Sequence, residues 1–279
     1  MERIILRIKQ TLAWWWRVLR AFFRNPVRFA VTASKQLKQN MSEFRPGGFQ
    51  ILPPIVKNLI IINVLVFLAQ WVSESVFHYQ LEILFALHYW QSELFHPYQL
   101  ITHLFMHGSI EHIFFNMFAL WMFGSILENI WGPKRFLIFY FVCGLGAALC
   151  FLAVQTFQFQ HLPGAASVGY LTGLKLDQFY PNSPAIFRFL YEPTLGASGA
   201  IFGLLVAFGM LFPNSLIYLY FFVPIKAKWF VIGYIAVELW MGFQNNPGDN
   251  VAHFAHLGGA LFGFLMVRFW NQRNRRNFY

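Results

Sequence analysis

The chain has 279 residues, 57% of them hydrophobic and only 11% charged, with a mean hydropathy of +0.48. That balance excludes an ordinary soluble domain and points to a bilayer. A formal net charge of +10 would suggest nucleic acid as the partner of a soluble protein, but here the cations are segregated by position, so membrane lipids and not nucleic acid are the expected contacts.

Residues 1–49 carry ten of the Lys and Arg together with Ile, Leu, Phe and the run Trp14-Trp15-Trp16. They read as a basic amphipathic cytoplasmic extension lying on an anionic leaflet. A secretory signal is not expected, because no sufficiently long apolar core precedes a small-residue cleavage site. An Arg-rich, acid-poor start also fits a mitochondrial presequence, which the three Trp and the scarcity of Ser make less attractive. The Pro-Gly stretch at 42–48 precedes a membrane core over 50–270, and 271–279 form a basic cytoplasmic tail.

Within the core the apolar runs are 55–72, 113–130, 136–157, 196–212, 229–243 and 251–270, which predict six membrane-spanning helices. Several are only about 15 to 18 residues, at the short end for crossing about 30 Å of hydrocarbon at about 1.5 Å per residue. Some helices, the fourth above all, should therefore begin or end below the surface. A further apolar stretch, 216–223, is bracketed by Pro213 and Pro224 and is too short to cross, so it reads as interfacial connecting structure. Six spans place 19 of the 21 Lys and Arg on one side and leave only Lys175 and Arg188 on the other. By the positive-inside rule both termini are cytoplasmic, and a bacterial inner membrane is the expected setting.

The loop from 73 to 112 contains Leu81, Ile83, Leu84, Phe85, Leu87, Tyr89 and Trp90 but no Lys or Arg. Such a loop should be half sunk in the membrane or packed on the bundle. Cys143 and Cys150, seven apart in one apolar run, share roughly one helix face, and no bond between them is expected.

Polar groups in apolar spans are costly, which makes the few present the candidates for chemistry. At the head of the second span stand His103, His107, His112 and Asn116, of which His112 and Asn116 share a helix face. Gly196-Ala197-Ser198-Gly199 opens the fourth span, and His253 and His256 open the sixth. All three sets lie at the outside ends of their spans. Ser198 is the candidate nucleophile and His256 its base, with Gly196 and Gly199 permitting close approach and His112 and Asn116 able to donate to an oxyanion. Phe202, one turn after Ser198, can pack its ring on the His256 imidazole. Glu238, the one acidic residue of the last three spans, falls mid-span away from these groups, so a dyad is expected rather than a triad.

GASG opening a short span, AHLGGALFG with His256, Gly259 and Gly263 as AHxxGxxxG, His112 with Asn116, and Gly124, Glu128 and Gly132 as GxxxExxxG together resemble the rhomboid family of intramembrane serine proteases. The resemblance spans about residues 50–270. It implies an all-α integral membrane protein, a six-transmembrane-helix bundle that cleaves transmembrane segments of other membrane proteins near their outer end by a Ser–His dyad, without a cofactor. His112, Asn116 and the Ser198 backbone N–H are the implied oxyanion donors. Tyr98-Gln99 stands where many bacterial relatives carry Trp-Arg, so the first-loop contacts usually assigned to that Arg do not carry over.

The alternatives are a small Ser198 chosen only for helix packing, and a non-catalytic rhomboid-like protein that binds membrane clients. A metal site at His103, His107 and His112 is the weaker reading, since no HExxH supplies a carboxylate base, and no metal is expected. His103 and His107 read as structural groups bonded to loop backbone. Glu128 should tie the inner end of the second span to a neighbouring segment or reach toward Lys134 and Arg135, and Gly259 with Gly263 should bring the sixth span close to the fourth.

Overall fold

A computed structural model describes residues 49–161, 190–219, 223–244 and 252–275. The expectations for the N-terminal extension, most of the 158–195 loop and the end of the C-terminal tail lie outside these residues. The chain divides into two compact units, Met1–Phe49 and Gln50–Tyr279, and everything below belongs to the second.

Six long helices occur among the described residues, one for each apolar run. They are α1 (Pro54–Phe77), α4 (Ile110–Trp131), α5 (Pro133–Gln160), α6 (Ser198–Leu211), α7 (Ala227–Gln244) and α8 (His253–Arg275). Two short helices of the first loop, α2 (Glu82–Phe85) and α3 (Gln99–Thr102), complete the numbering. The helices α1, α4 and α5 are long and apolar enough to cross a membrane on length and composition alone, and α6 is a shorter apolar helix. The stretch after Pro213 is not merely irregular: Leu216–Leu219 (β1) pairs antiparallel with Val223–Lys226 (β2), which satisfies backbone groups between two helices.

The first helix begins at Pro54, whose missing N–H costs nothing at a helix start. Two of the next free N–H groups, of Ile55 and Val56, donate to the carboxylate of Glu128 at 2.9 and 2.8 Å. Glu128 thus caps α1 from α4, the tie to a neighbouring segment foreseen for it, and its charge faces the positive end of the α1 dipole. The α4 helix carries a π-helical segment, Leu120–Gly124, and ends at Gly132, whose φ of +77° lets Pro133 start α5 at once.

Helix α6 is enclosed. Every residue from Gly199 to Gly209 is buried, which explains why it is apolar on all faces. It packs against α5 and α8 through small residues. A side chain at Gly199 would meet Ala147 of α5 at 2.5 Å, one at Gly203 would meet the Cys143 sulfur at 2.4 Å, and one at Gly259 of α8 would lie 1.8 Å from the Gly199 carbonyl oxygen. The close approach of the sixth span to the fourth is therefore backbone to backbone. At 14 residues α6 is about 21 Å long, short of the about 30 Å of hydrocarbon that a full crossing needs.

The first loop packs on the bundle. Leu87 and Tyr89 form a second small core with Ala148, Leu152 and Phe159 of α5 and with Leu190. At its centre is Gln99, fully buried, whose amide N–H groups donate to the carbonyls of Leu84 (3.0 Å) and Leu94 (2.8 Å). Its oxygen accepts from the N–H groups of His88 (3.3 Å) and His96 (3.1 Å). One amide so organises the loop, with both donors and its acceptor engaged.

Candidate active site

The first loop sets the backbone that leads into Ser198. Leu87 and Thr194 exchange N–H···O bonds of 2.8 Å in each direction, and the Gly196 N–H donates to the His103 carbonyl at 2.9 Å. Gly196 then adopts φ +123°, a conformation that L side chains rarely reach, and turns the chain so that Ser198 begins α6. At that position the first backbone N–H groups of the helix are free of intrahelical partners and its dipole is positive.

Ser198 meets His256 across α6 and α8. The hydroxyl stands 2.8 Å from His256 Nε2, and the Phe202 ring lies flat on the imidazole at 4.3 Å with 7° between planes. The structure thus brings the predicted Ser198, Phe202 and His256 together. The expectation for Glu238 does not hold. Its Oε2 lies 2.9 Å from His256 Nδ1 and 2.7 Å from His253 Nδ1, so one carboxylate oxygen accepts from two imidazoles.

The placement follows from helix geometry. The buried residues of α7 are Ala227, Val231, Glu238 and Gly242, whose spacings of four and seven define a single stripe. A side chain at Gly242 would touch His253 and Phe254, so the end of α7 packs on the start of α8. One turn deeper on each helix, Glu238 reaches His256. That stripe, a lone carboxylate one turn before a glycine, was the signal available in the sequence.

His112 also borders the nucleophile. A side chain built at Gly196 would come within 2.8 Å of His112 Nε2 and 3.6 Å of Ser198 Oγ, so the imidazole and the hydroxyl flank the same glycine. The Gly108 N–H donates to His112 Nδ1 at 3.4 Å, which leaves the proton of a neutral ring on Nε2, the atom facing that glycine. Asn116 is buried, and its Nδ2 has no hydrogen-bond partner among the described residues.

His103 and His107 stay outside this group. His103 Nδ1 faces the Gln99 carbonyl at 2.7 Å, as a structural group should, while the His107 ring stands edge-on to His112 at 5.1 Å. With His112 they form no metal-ligating group; among the described residues such a group consists of Glu238, His253 and His256, whose ligand atoms lie within 4.8 Å of one another. Those same atoms are already joined as donors and acceptor.

Burial pushes His103 down to about 4, the Gln99 carbonyl offsetting only part of it. His107 also falls to about 4, through burial first and the neighbouring His112 second. An unfolded His binds its proton near 6.5, whereas these docked rings refuse it until about pH 4. Their contribution is therefore complete above pH 6.5 and is lost as pH falls toward 4, by up to about 3 kcal/mol for a ring as deeply buried as His103. The protection factors of amides 99–107, which discount the slower intrinsic exchange at lower pH, are expected to fall reversibly over that window. A His103→Gln variant should flatten the response, and an unchanged response would show that the ring is not held neutral.

The family model described as Rhomboid domain matches residues 94–272. The chain is 30% identical over 206 residues to the RHOMBOID-like protein 12, mitochondrial, of Arabidopsis thaliana, covering 74% of this chain and 55% of that one. It is 29% identical over 171 residues to Rhomboid protein 1, mitochondrial, of Saccharomyces cerevisiae, covering 60% and 40%. It is 29% identical over 168 residues to Rhomboid protease GluP of Bacillus subtilis, covering 60% and 25%. The chain thus matches about half or less of the length of these curated relatives.

Proposed function

The chain belongs to the rhomboid family, and from that we propose that it is an intramembrane serine endopeptidase that cleaves transmembrane segments of membrane proteins near their outer end. The observation that carries the reading is the 2.8 Å contact of Ser198 Oγ with His256 Nε2, at the start of a short buried helix. In the proposed reaction His256 takes the hydroxyl proton as Oγ attacks the scissile carbonyl, then delivers it to the leaving amine. Water releases the acyl group by the same route in reverse. The developing oxyanion is assigned to the Ser198 backbone N–H, His112 Nε2–H and Asn116 Nδ2, the last a buried donor with no partner among the described residues.

One physical demand shapes the substrate. A helical backbone has its carbonyls engaged, so the cleaved segment must unwind locally before Ser198 can reach one. Helix-breaking residues near the outer end of the substrate should therefore favour cleavage.

The chain is a multi-pass membrane protein. A bacterial inner membrane finds no support in the relatives, two of which carry mitochondrial names. The cation distribution supports both termini on one side of the membrane and the Ser198 end of α6 on the other.

A fluorophosphonate probe tests the proposal on the full chain in a bilayer. Wild type is expected to label covalently and cleave a transmembrane reporter, while Ser198→Ala does neither yet inserts normally. Failure of wild type to label and to cleave any reporter would favour the client-binding reading.

A further inference from the structure

Resting on that protease reading, we propose that Glu238 completes a Ser198–His256–Glu238 relay as a positioning residue, held in turn by His253. The chain of contacts is continuous: hydroxyl to Nε2 at 2.8 Å, Nδ1 to carboxylate at 2.9 Å, and the same carboxylate oxygen to His253 Nδ1 at 2.7 Å. A carboxylate is acceptor-only, so it keeps the His256 proton on Nδ1 and the lone pair on Nε2, where the serine hydroxyl needs a base. When His256 accepts the serine proton, the imidazolium forms beside an anion that is already in place. Nothing has to move.

The surroundings are built for this. Glu238 is buried on the single stripe of α7 that touches the bundle. A buried anion there is costly unless paired and hydrogen-bonded, and two N–H groups on one oxygen provide that. Phe202 covers one face of the His256 ring, and Tyr234, one turn before Glu238, meets Phe202 at 4.8 Å. Helix α7 thus acts on the imidazole directly through a charge and indirectly by backing the Phe202 ring that covers it. Stacking alone fixes the plane of the ring but cannot select its tautomer.

The test separates charge from packing. Glu238→Gln keeps the shape but can present an amide N–H to His256 Nδ1, which favours the unproductive tautomer; Glu238→Asp keeps the anion on a shorter stem. With full-length protein in bilayers, Glu238→Gln is expected to lower kcat by roughly 10²-fold or more with KM within about threefold, and to slow fluorophosphonate labelling in proportion. Glu238→Asp should recover most of that loss. The inference is overturned if Glu238→Gln cleaves within about twofold of wild type while Ser198→Ala is inert, an outcome that leaves the protease reading intact. It is also overturned if Gln and Asp lose activity equally and both unfold at lower temperature, which would make the role packing. Cleavage by Ser198→Ala would overturn the protease reading and the inference with it.

Discussion

Replacing His256 by alanine is expected to lower kcat for a transmembrane reporter by roughly 10⁴-fold or more, with the protein still inserted and folded. A serine hydroxyl is a poor nucleophile without a base within reach, and no second base contacts Ser198 among the described residues. The variant should remain folded, because Glu238 keeps its bond to His253 and is not left as a buried orphan charge. Phe202 loses its stacking partner, a loss of about 1 kcal/mol. The residual rate would come from the oxyanion donors and from substrate positioning alone. Since Ser198 and His256 act as one unit, the double variant Ser198→Ala with His256→Ala should be no slower than either single one. Reporter cleavage in bilayers, read beside fluorophosphonate labelling rates, checks this, and His256→Ala activity within about tenfold of wild type would remove His256 from the role of base.

The elements that could be read from the chain are those governed by local rules. Six apolar runs became six helices because backbone groups in hydrocarbon must be paired within the segment, and a helix does this from the sequence in one stretch. The Ser198–His256 contact was foreseeable because Gly259 and Gly263 repeat at the spacing that brings two backbones together. Two features depended on how separate segments meet, which local pattern marks only faintly. Glu238 sits mid-way along an apolar run, and only the pairing of Gly242 with His253 sets the depth at which it meets His256. Gln99 lies in a loop whose backbone groups converge from residues 84 to 96, so its four hydrogen bonds exist only after the loop has closed on itself. The hairpin of β1 and β2 falls between: two prolines marked a boundary, but pairing across it is a tertiary event.

Gly259→Ala is expected to abolish cleavage and to lower thermal stability, although it adds a single methyl group. That carbon would sit 1.8 Å from the carbonyl oxygen of Gly199, which is backbone and cannot rotate aside. Relief requires α6 and α8 to part by more than about 1 Å, and these two helices carry Ser198 and His256. A hydroxyl and an imidazole in contact at 2.8 Å cannot absorb such a shift and remain hydrogen-bonded. Misplacement by about 1 Å costs on the order of 10²-fold in rate, and overpacking a core costs about 1–3 kcal/mol in stability. Gly263→Ala should be milder, because its added carbon would approach Gly203 no closer than 2.7 Å and lies two turns below the catalytic pair. Gly233→Ala is the control: nothing lies within 4 Å of the added carbon, and alanine stabilises a helix by up to about 1 kcal/mol relative to glycine. The order of activity should therefore be Gly233→Ala, then Gly263→Ala, then Gly259→Ala, with unfolding temperatures in detergent following the same sequence. A Gly259→Ala protein as active and as stable as wild type would mean that the backbone contact between α6 and α8 is not what seats His256 on Ser198.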